Sequence, residues 1–287
     1  MRLRARSGGF TMIELVVTMT VSIIVVSFMA NFISGPVQGF NDQTRRARLV
    51  DAADSALRRM SRDVRRALPN SVRSRSSAGV VALEVLSSVD GARYRARPPG
   101  TPDQILNLSA ADAAFNVISP FTQITKPFSS TSHHLVIYNV GVPGADAYEL
   151  ANVITPAGTQ IDITVDALPS EDRVSLTPAF QFAFDSPTYR VFLVDGAVSY
   201  LCDPIAGTLV RYDAYTIAQD HSTRDSHAEL IGAGASSSLM ADRISSCTFS
   251  YLPGTAERAG LLSLNIGIAD QGESISLLAQ VHVDNVP

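Results

Sequence analysis

The chain has no tryptophan, only two cysteines and five histidines, and a single lysine, Lys126, among its 23 basic residues. Familiar catalytic motifs are missing too: there is no G-x-S-x-G, no H-E-x-x-H, no P-loop and no dinucleotide-binding fingerprint. Since neither a catalytic motif nor a metal-ligand pattern is present, we expect no catalytic residue, no metal and no cofactor. The sequence therefore predicts a protein that is not an enzyme.

The few histidines do not suggest a ligand set. His133 and His134 are adjacent, so on a strand they face opposite sides and do not chelate one ion together. A polar stretch contains the residue types of a Ser/His/Asp set, namely Asp220, His221, Ser222, Asp225 and His227. Almost any polar loop permits such a set, and we expect these side chains to have packing or solvent-exposed roles.

Charge is distributed unevenly along the chain. Residues 1–97 hold 16 basic and 7 acidic side chains, whereas residues 98–287 hold 7 basic and 20 acidic ones, a net of −13. A basic region can indicate nucleic-acid binding, but these arginines adjoin an apolar segment and are interleaved with aspartates on a predicted helix. The acidic remainder disfavours a phosphate-binding surface. We therefore expect no nucleic-acid partner.

The run Phe10–Ile33 is apolar or small and polar, with Glu14 as its only charge. It is long enough to cross a bilayer, since a spanning helix needs about 20 residues. Arg2, Arg4 and Arg6 precede it without an acidic residue, so the positive-inside rule predicts a cytoplasmic N-terminus and an exported remainder. A carboxylate in the bilayer costs about 2.5–3.5 kcal/mol, so Glu14 requires an explanation.

Several interpretations of this run compete. A cleaved secretory signal needs a shorter apolar core and a small-x-small cleavage site, for which residues 27–30 are a poor match. A simple uncleaved anchor fits the length but leaves Glu14 unexplained. A glutamate tolerated near the cytoplasmic end is another alternative, because the insertion penalty is smaller away from the bilayer centre.

Residues 8–26, GGFTMIELVVTMTVSIIVV, closely resemble the N-terminal signal of type IV prepilins and type II secretion pseudopilins. In that family, a prepilin peptidase removes a short basic leader that ends in glycine. The resemblance implies cleavage between Gly9 and Phe10, N-methylation of Phe10, and pairing of Glu14 with the new terminus of a neighbouring subunit, which sets the filament register. Met12 departs conservatively from the commoner leucine. An ammonium and a carboxylate are less unfavourable in a membrane as a pair than separately.

Further stretches resemble the O-type prepilins of mannose-sensitive haemagglutinin (MSHA) pilus biogenesis: SRDVRRALPNSVR at 61–73, HLVIYNVG at 134–141, FSYLPGTAERAGLLSLNIGI at 249–268 and QVHVDNVP at 280–287. The resemblance implies a minor pilin that is incorporated into, or primes, a type IV pilus. Its implied partners are the prepilin peptidase, the major and other minor pilins, the inner-membrane assembly platform and the lipid bilayer. It implies an inner-membrane precursor with a periplasmic C-terminal domain, which then moves to the pilus at the cell surface.

A J-type minor pseudopilin of type II secretion is the main alternative, because it shares the long domain and a similar architecture. A membrane-anchored periplasmic enzyme and a tip adhesin are less favoured. An adhesin predicts an exposed aromatic patch or pocket, and the sequence has few aromatic residues and no tryptophan.

Helical periodicity returns after the apolar run. A spacing of three and four residues predicts an amphipathic stripe, formed by Val50, Ala53, Leu57, Met60 and Val64. Arginines occupy the other faces, and Asp42 with Arg46 and Asp54 with Arg58 form i,i+4 pairs in the favourable order. Such a stripe typically packs onto the protein's own sheet, while the arginines could meet lipid headgroups or acidic neighbouring subunits.

Gly35 and Pro36 favour a break or a kink in this long helix, because proline lacks a backbone donor. Pro69 predicts its end. The predicted organisation is a cleaved leader over residues 1–9, a transmembrane and assembly helix over 10–34, an amphipathic continuation over 35–68 and a periplasmic β-rich globular domain over 69–287.

The rest of the chain has β-rich runs separated by turn signals. Strands are predicted at Val80–Leu86, Leu135–Val140, Gln160–Val165, Phe180–Phe184, Thr208–Tyr212, Leu261–Ile268 and Ser274–Val283. Asp195-Gly196 predicts a two-residue hairpin, and residues 104–118 a short helix. The predicted fold class is α+β: a type IV pilin-like long N-terminal helix, followed by an antiparallel β-sheet domain.

Cys202 and Cys247 both lie in the part predicted to be exported. An oxidising compartment favours one disulfide between them, and the alternative is two buried free thiols. A bridge closing such a long loop stabilises the fold by about 3–4 kcal/mol in the chain-entropy model.

Overall fold

The structure, a computed structural model of the full chain, describes Gly9 and residues 11–168, 170–254, 259–283 and 285–286. Most of the predicted leader and Phe10, the predicted first residue after cleavage, lie outside these described residues. The chain divides into two compact units, Met1–Arg48 and Leu49–Pro287.

The N-terminal helix α1 covers Met12–Arg65, a slightly shorter range than the predicted 10–68. It continues through Gly35 and Pro36 without an interruption, where the sequence favours a break or a kink. A proline removes one bond from the backbone ladder of a helix, and the bonds on either side maintain this 54-residue helix.

The second unit is built mainly of β-strands. Its described residues form β1 Arg73–Ser77, β2 Val80–Tyr94, β3 Asp112–Ser119, β4 Phe128–Ser130, β5 His134–Val136, β6 Gln160–Val165, β7 Asp172–Phe180, β8 Arg190–Asp203, β9 Thr208–Tyr215, β10 Ser236–Asp242, β11 Ile244–Leu252, β12 Gly260–Asp270 and β13 Glu273–Val283. Besides the strands there are a short helix, α2 His227–Gly232, and 3-10 turns at Pro102–Gln104, Ala147–Glu149 and His221–Thr223.

The strands form two antiparallel sheets. The larger has the order β10-β9-β8-β2-β3-β7-β6-β4, with β1 added beside β2 and β5 beside β8. The smaller has the order β11-β12-β13. One N-terminal apolar helix followed by a large antiparallel sheet domain confirms the predicted α+β class.

The second half of α1 packs onto both sheets. Its buried side chains are Leu49, Ala53, Ala56, Leu57, Met60 and Val64. They share one hydrophobic core with alternate residues of β2 and β8 in the large sheet and of β12 and β13 in the small one. Val50 is 38% exposed, so the stripe begins at Leu49 rather than at the predicted Val50.

Two ion pairs were predicted along α1. Arg58 Nε lies 2.7 Å from Asp54, as predicted, although both side chains are largely exposed. Asp42 contacts Arg45 at 3.4 Å, one residue before the predicted Arg46. Exposed pairs of this kind contribute little to stability, because water screens both charges.

The hairpin predicted at Asp195-Gly196 is wrong. β8 passes through these residues as one strand and pairs with β2 on both sides of them. Ser87 pairs with Gly196 and Ser88 with Val194, so Asp195 is the extra residue of a β-bulge. Gly196 has φ +140°. A bulge and a tight turn both favour a polar residue beside a glycine, so the dipeptide alone does not distinguish them.

The helix predicted within residues 104–118 is also wrong. The segment contains the end of the 3-10 turn at Pro102–Gln104 and most of β3. Phe115 and Val117 of β3 are fully buried in a core shared with β6 and β7. That packing outweighs the helix propensity of the alanines in this segment.

The remaining strand predictions vary in accuracy. β6 has the predicted bounds Gln160–Val165. The runs predicted at Thr208–Tyr212, Leu261–Ile268 and Ser274–Val283 lie within β9, β12 and β13. β5 is shorter than predicted and ends at Val136. The strand predicted at Phe180–Phe184 is wrong, because β7 ends at Phe180 and Phe182 packs into the core from the following loop.

The predicted cysteine pair is confirmed. Cys202 of β8 and Cys247 of β11 are bridged, with their Cα atoms 6.3 Å apart. Because these strands belong to different sheets, the bridge ties the large sheet to the small one beside the core that α1 completes.

Candidate functional site

The first part of α1 has apolar side chains on all its faces. The segment Met12–Met29 has a mean hydropathy of 2.2, and none of it is buried within the structure. Ile13 and Phe28 are each 73% exposed. A helix that is apolar all round is typical of a membrane span or a fully enclosed core helix. This helix is long and apolar enough to span a membrane.

Three hydroxyl groups of this segment are satisfied within the helix. The hydroxyl of Thr18 donates to the carbonyl oxygen of Glu14 at 2.8 Å, that of Thr20 to Val16 at 2.9 Å, and that of Ser27 to Ile23 at 2.8 Å. Hydroxyls bonded to the preceding turn need no outside partner in an apolar medium. They therefore do not oppose insertion into a bilayer.

Glu14 is different, because no described residue compensates its charge. Its backbone N–H donates to Oγ1 of Thr11 at 3.3 Å, but its carboxylate makes no ion pair with any residue that the structure describes. It lies in the first turn of α1, where the helix dipole favours a negative charge. In hydrocarbon a cationic partner would stabilise this carboxylate further.

Gly9 is the one residue of the predicted cleavage site that the structure describes. It is exposed, and a Cβ built on it meets no atom within 4 Å. The described surroundings therefore do not require a glycine at this position for packing.

A cleft of about 680 Å³ lies near the C-terminal end of α1. Its charged lining is mixed: Arg59, Arg65, Arg66, Arg190 and Arg211 with Asp63, Asp90 and Asp195. Arg211 Nε lies 2.8 Å from Asp63, which also accepts a hydrogen bond from the Tyr200 hydroxyl at 2.8 Å. These contacts attach the last turn of α1 to β8 and β9, and the alternating charges do not define an anion site.

A buried polar cluster surrounds Glu84, which is fully buried. Arg73 Nε donates to Oε2 of Glu84 at 3.0 Å, and the Tyr215 hydroxyl donates to Oε1 at 3.1 Å. The Arg73 guanidinium also lies 3.5 Å from the centre of the Tyr148 ring. Burial raises the pKa of Glu84, and the nearby Arg73 partly offsets this.

His221 belongs to the same cluster. Its Nε2 lies 3.5 Å from Oε2 of Glu84, is buried and makes no hydrogen bond. Burial, together with the positive charges of Arg73 and Arg75, lowers the pKa of His221 from 6.5 to about 4. Through its contacts with Arg73, Tyr215 and His221, the carboxylate of Glu84 holds together β1, β2, β9 and the turn at His221–Thr223. Because Glu84 is fully buried, its carboxylate offers no access to a substrate.

Sequence reasoning missed this cluster. Arg73 and Glu84 lie on neighbouring strands, β1 and β2, and Tyr148, Tyr215 and His221 come from distant parts of the chain. The one local signal was a charged residue, Glu84, within an apolar strand, since a buried acid needs a partner.

The other members of the polar stretch are not brought together. Asp220 accepts a hydrogen bond from the backbone N–H of Ser222 at 2.8 Å. Asp225 pairs with Arg75 at 2.7 Å, and Nδ1 of His227 lies 2.7 Å from the Tyr212 hydroxyl. Each side chain anchors a different piece of local structure, so no nucleophile, base and acid are aligned here.

His133 and His134 have separate partners. Nδ1 of His133 lies 2.7 Å from the Ser130 hydroxyl, and Nδ1 of His134 lies 2.7 Å from the carbonyl oxygen of Thr155. Burial lowers the pKa of both histidines. Within the described ranges, no three histidine, cysteine, aspartate or glutamate side chains are grouped as metal ligands.

Fold and site define an α+β protein with one candidate membrane span at its N-terminus and a disulfide-bridged sheet domain. Comparison with known proteins adds no relative: no family model, no curated protein and no solved structure matches the chain.

Proposed function

We propose that the chain is a minor pilin of the MSHA biogenesis type, processed by a prepilin peptidase and incorporated into, or priming, a type IV pilus. The observation that carries the proposal is the carboxylate of Glu14, which pairs with no described residue, on an otherwise apolar and exposed part of α1. Glu14 follows Phe10 by four residues in the stretch GGFTMIE. A lone acid four residues after the phenylalanine that follows a cleavable glycine is the pattern expected of a prepilin signal.

Cleavage after Gly9 would place a new ammonium group at Phe10. In the filament, Glu14 of one subunit pairs with this ammonium on a neighbour. In a medium of low dielectric constant, the attraction between two such charges is much stronger than in water, and pairing removes the penalty of leaving either alone. Pairing at one depth along the helix fixes the axial register of adjacent subunits.

The exposed apolar surface of the first part of α1 supports the same assembly. Before assembly, side chains such as Ile13 and Phe28 contact lipid, and in the filament they contact the equivalent helices of other subunits. Helix association in such surroundings depends on close packing rather than on the hydrophobic effect. The proposed subunit therefore moves between membrane and filament without refolding its helix.

The second unit supports a minor rather than a major subunit. Its sheet domain is larger than is typical of pilin-like folds, and the Cys202–Cys247 bridge fits an oxidising compartment. We place the precursor in the inner membrane, with the N-terminus cytoplasmic and the sheet domain periplasmic. Its partners are then the prepilin peptidase, the assembly platform, and the major and other minor pilins.

Deletion of the gene tests the class of assembly. Surface pili and secreted proteins are measured in the same culture. Loss of pili with normal secretion supports the proposal. Exoproteins accumulating in the periplasm while pili remain would instead assign the chain to a J-type pseudopilus, and no change in either would reject an assembly role.

Processing is tested separately, by co-expression with a prepilin peptidase and intact-mass measurement. We expect loss of residues 1–9 and one added methyl group. Gly9→Val should remain uncleaved, whereas Gly39→Val, at another exposed glycine with no atom within 4 Å of an added Cβ, should be cleaved as wild type. Equal cleavage of both variants would contradict the assignment of Gly9.

A further inference from the structure

β13 forms the outer edge of the small sheet. It pairs with β12 in unbroken register, from Gly260 opposite Val283 to Asp270 opposite Glu273. In the described part of the chain, no strand pairs with its other side. Alternate residues of an edge strand direct their N–H and C=O groups away from the sheet. β13 therefore presents a regular row of unpaired donors and acceptors.

Other strand edges of the fold have features that discourage pairing. β10 has a register shift between Leu239 and Ala241, β11 has one between Ile244 and Ser246, and β4 has three residues. β13 has eleven residues, no register shift and no proline, lysine or arginine. Long, regular edges without such features are those that accept an added strand.

A groove of about 500 Å³ lies between β13 and α1, wholly within the second unit. Its walls are formed by Leu277, Leu278, Ala279 and Gln280 of the strand and by Asp54, Leu57, Arg58, Ser61, Arg62 and Arg65 of the helix. Leu277 and Ala279 face the core and are only partly buried, whereas Leu278 faces away and is 64% exposed. The two faces of the edge are thus chemically different.

Positive charge predominates in this groove. Arg58 is paired with Asp54, the one acid in the lining. Arg62 and Arg65 are exposed and make no ion pair with any described residue. Two uncompensated guanidinium groups beside a free backbone edge favour an occupant that carries carboxylates.

We propose that this groove, between β13 and residues 54–65 of α1, binds an extended segment of a partner protein in which acidic residues alternate with apolar ones. The backbone of the segment pairs with β13. Successive side chains of a strand point to opposite faces. One face therefore directs carboxylates towards Arg62 and Arg65, and the other places apolar side chains beside Leu278, where cross-strand contacts stabilise the pairing.

The inference does not depend on the proposed function, because it concerns the second unit and requires neither cleavage nor a filament. The full-length chain in detergent micelles is titrated into a fluorescein-labelled peptide of about ten residues, matched to a typical strand length, in which glutamate alternates with valine. The control peptide has lysine in place of glutamate. Fluorescence anisotropy gives the affinities, and we expect the glutamate peptide to bind at least about tenfold more tightly.

Matched arginine variants locate the site. Arg62→Glu should weaken binding of the glutamate peptide by about tenfold or more, because it reverses a charge in the groove. Arg66→Glu changes an exposed arginine just beyond the end of α1 that does not line the groove, and should leave the affinity within about twofold. Hydrogen exchange measured with and without the peptide should show slower exchange of alternate amides in β13.

Each result has a definite meaning. Equal binding of the two peptides, or equal effects of Arg62→Glu and Arg66→Glu, would overturn the acidic specificity. Binding without protection of β13 amides would overturn strand pairing. Self-association of the chain that protects β13 without any peptide would identify a second copy as the occupant and overturn the acidic partner.

Discussion

Arg73 and Glu84 lie directly opposite each other on β1 and β2 and form an ion pair with one partner fully buried. Arg73 also donates hydrogen bonds to the carbonyl oxygens of Ala218 at 2.7 Å and Gln219 at 2.8 Å. One guanidinium therefore connects a cross-strand neighbour with a loop that is distant in sequence. Removing it would leave a buried carboxylate without its cation.

We expect Arg73→Leu to lower the free energy of unfolding by about 3–5 kcal/mol, the usual cost of stranding a buried charge. Urea denaturation of the detergent-solubilised chain measures this. Arg243→Leu is the matched control, because Arg243 is half-exposed and pairs with Asp270 at 3.2 Å. Its loss should cost less than about 1 kcal/mol. Equal effects of the two substitutions would contradict the importance assigned to the buried pair.

His221 should make stability depend on pH. With its pKa lowered from 6.5 to about 4, the folded chain binds a proton to His221 less readily than the unfolded chain. The stabilisation is therefore complete above pH 6.5 and is lost as the pH falls towards 4, by about 3 kcal/mol in all. His221→Gln should flatten the profile of unfolding free energy in this range. An unchanged slope would contradict the prediction.

Glu84 should act in the opposite direction. Burial raises its pKa in the folded state, so its contribution to stability is present at low pH and is lost as the pH rises through the raised value. Measuring Glu84→Gln beside His221→Gln, as unfolding free energy against pH, separates the two groups. The first variant should lose less stability than wild type as the pH rises, and the second less as it falls.

Local patterns predicted much of the fold. The apolar run and the three-four spacing identify α1, because the period of the sequence matches that of a helix. β-rich runs bounded by turn signals identify β6, β12 and β13. The cysteine pair followed from the predicted compartment. These features depend on neighbouring residues, so a single sequence is sufficient.

The features that were predicted wrongly or missed depend on contacts between residues that are distant in the sequence. Asp195-Gly196 forms a bulge because β2 pairs with β8 on both sides, and residues 112–119 form a strand because Phe115 packs onto β6 and β7. The Glu84 cluster likewise assembles side chains from separate segments. In each case tertiary packing decides between local alternatives that are almost equal in energy.

The disulfide should contribute strongly to stability. Cys202 and Cys247 are separated by 45 residues, and closing a loop of this length stabilises a protein by about 4 kcal/mol in the chain-entropy model. Cys202→Ala/Cys247→Ala should lower the urea midpoint accordingly, and reductant should lower that of the wild type but not of the variant. A midpoint unaffected by reductant in both proteins would contradict the prediction.

The contact between α1 and the two sheets should be sensitive to cavities. Met60 is fully buried in their shared core, so Met60→Ala should lower the free energy of unfolding by about 2–5 kcal/mol. Val50→Ala, on the same helix at a 38% exposed position, should change it by about 0.5 kcal/mol or less. Similar losses from both would contradict the contrast between a buried Met60 and a partly exposed Val50.

A substitution at Glu14 should affect membrane insertion and filament assembly differently, provided the proposed function is correct. Glu14→Ala removes the charge that disfavours insertion, so the amount of variant in the membrane should equal or exceed that of wild type. The same change removes the partner of the neighbouring N-terminus, so the variant should be missing from pili sheared from a complemented deletion strain. Immunoblots of the membrane and pilus fractions measure both.

Thr18→Ala provides the matched control for that experiment. Thr18 lies one turn further along α1, and its hydroxyl is satisfied by the carbonyl oxygen of Glu14 within the same helix. Removing this hydroxyl takes no partner away from a neighbouring subunit, so Thr18→Ala should reach the pilus fraction as wild type does. If Glu14→Ala reaches it equally well, then the carboxylate does not set the register of the filament, and its place near the end of the span reflects tolerance of a charge close to the membrane surface.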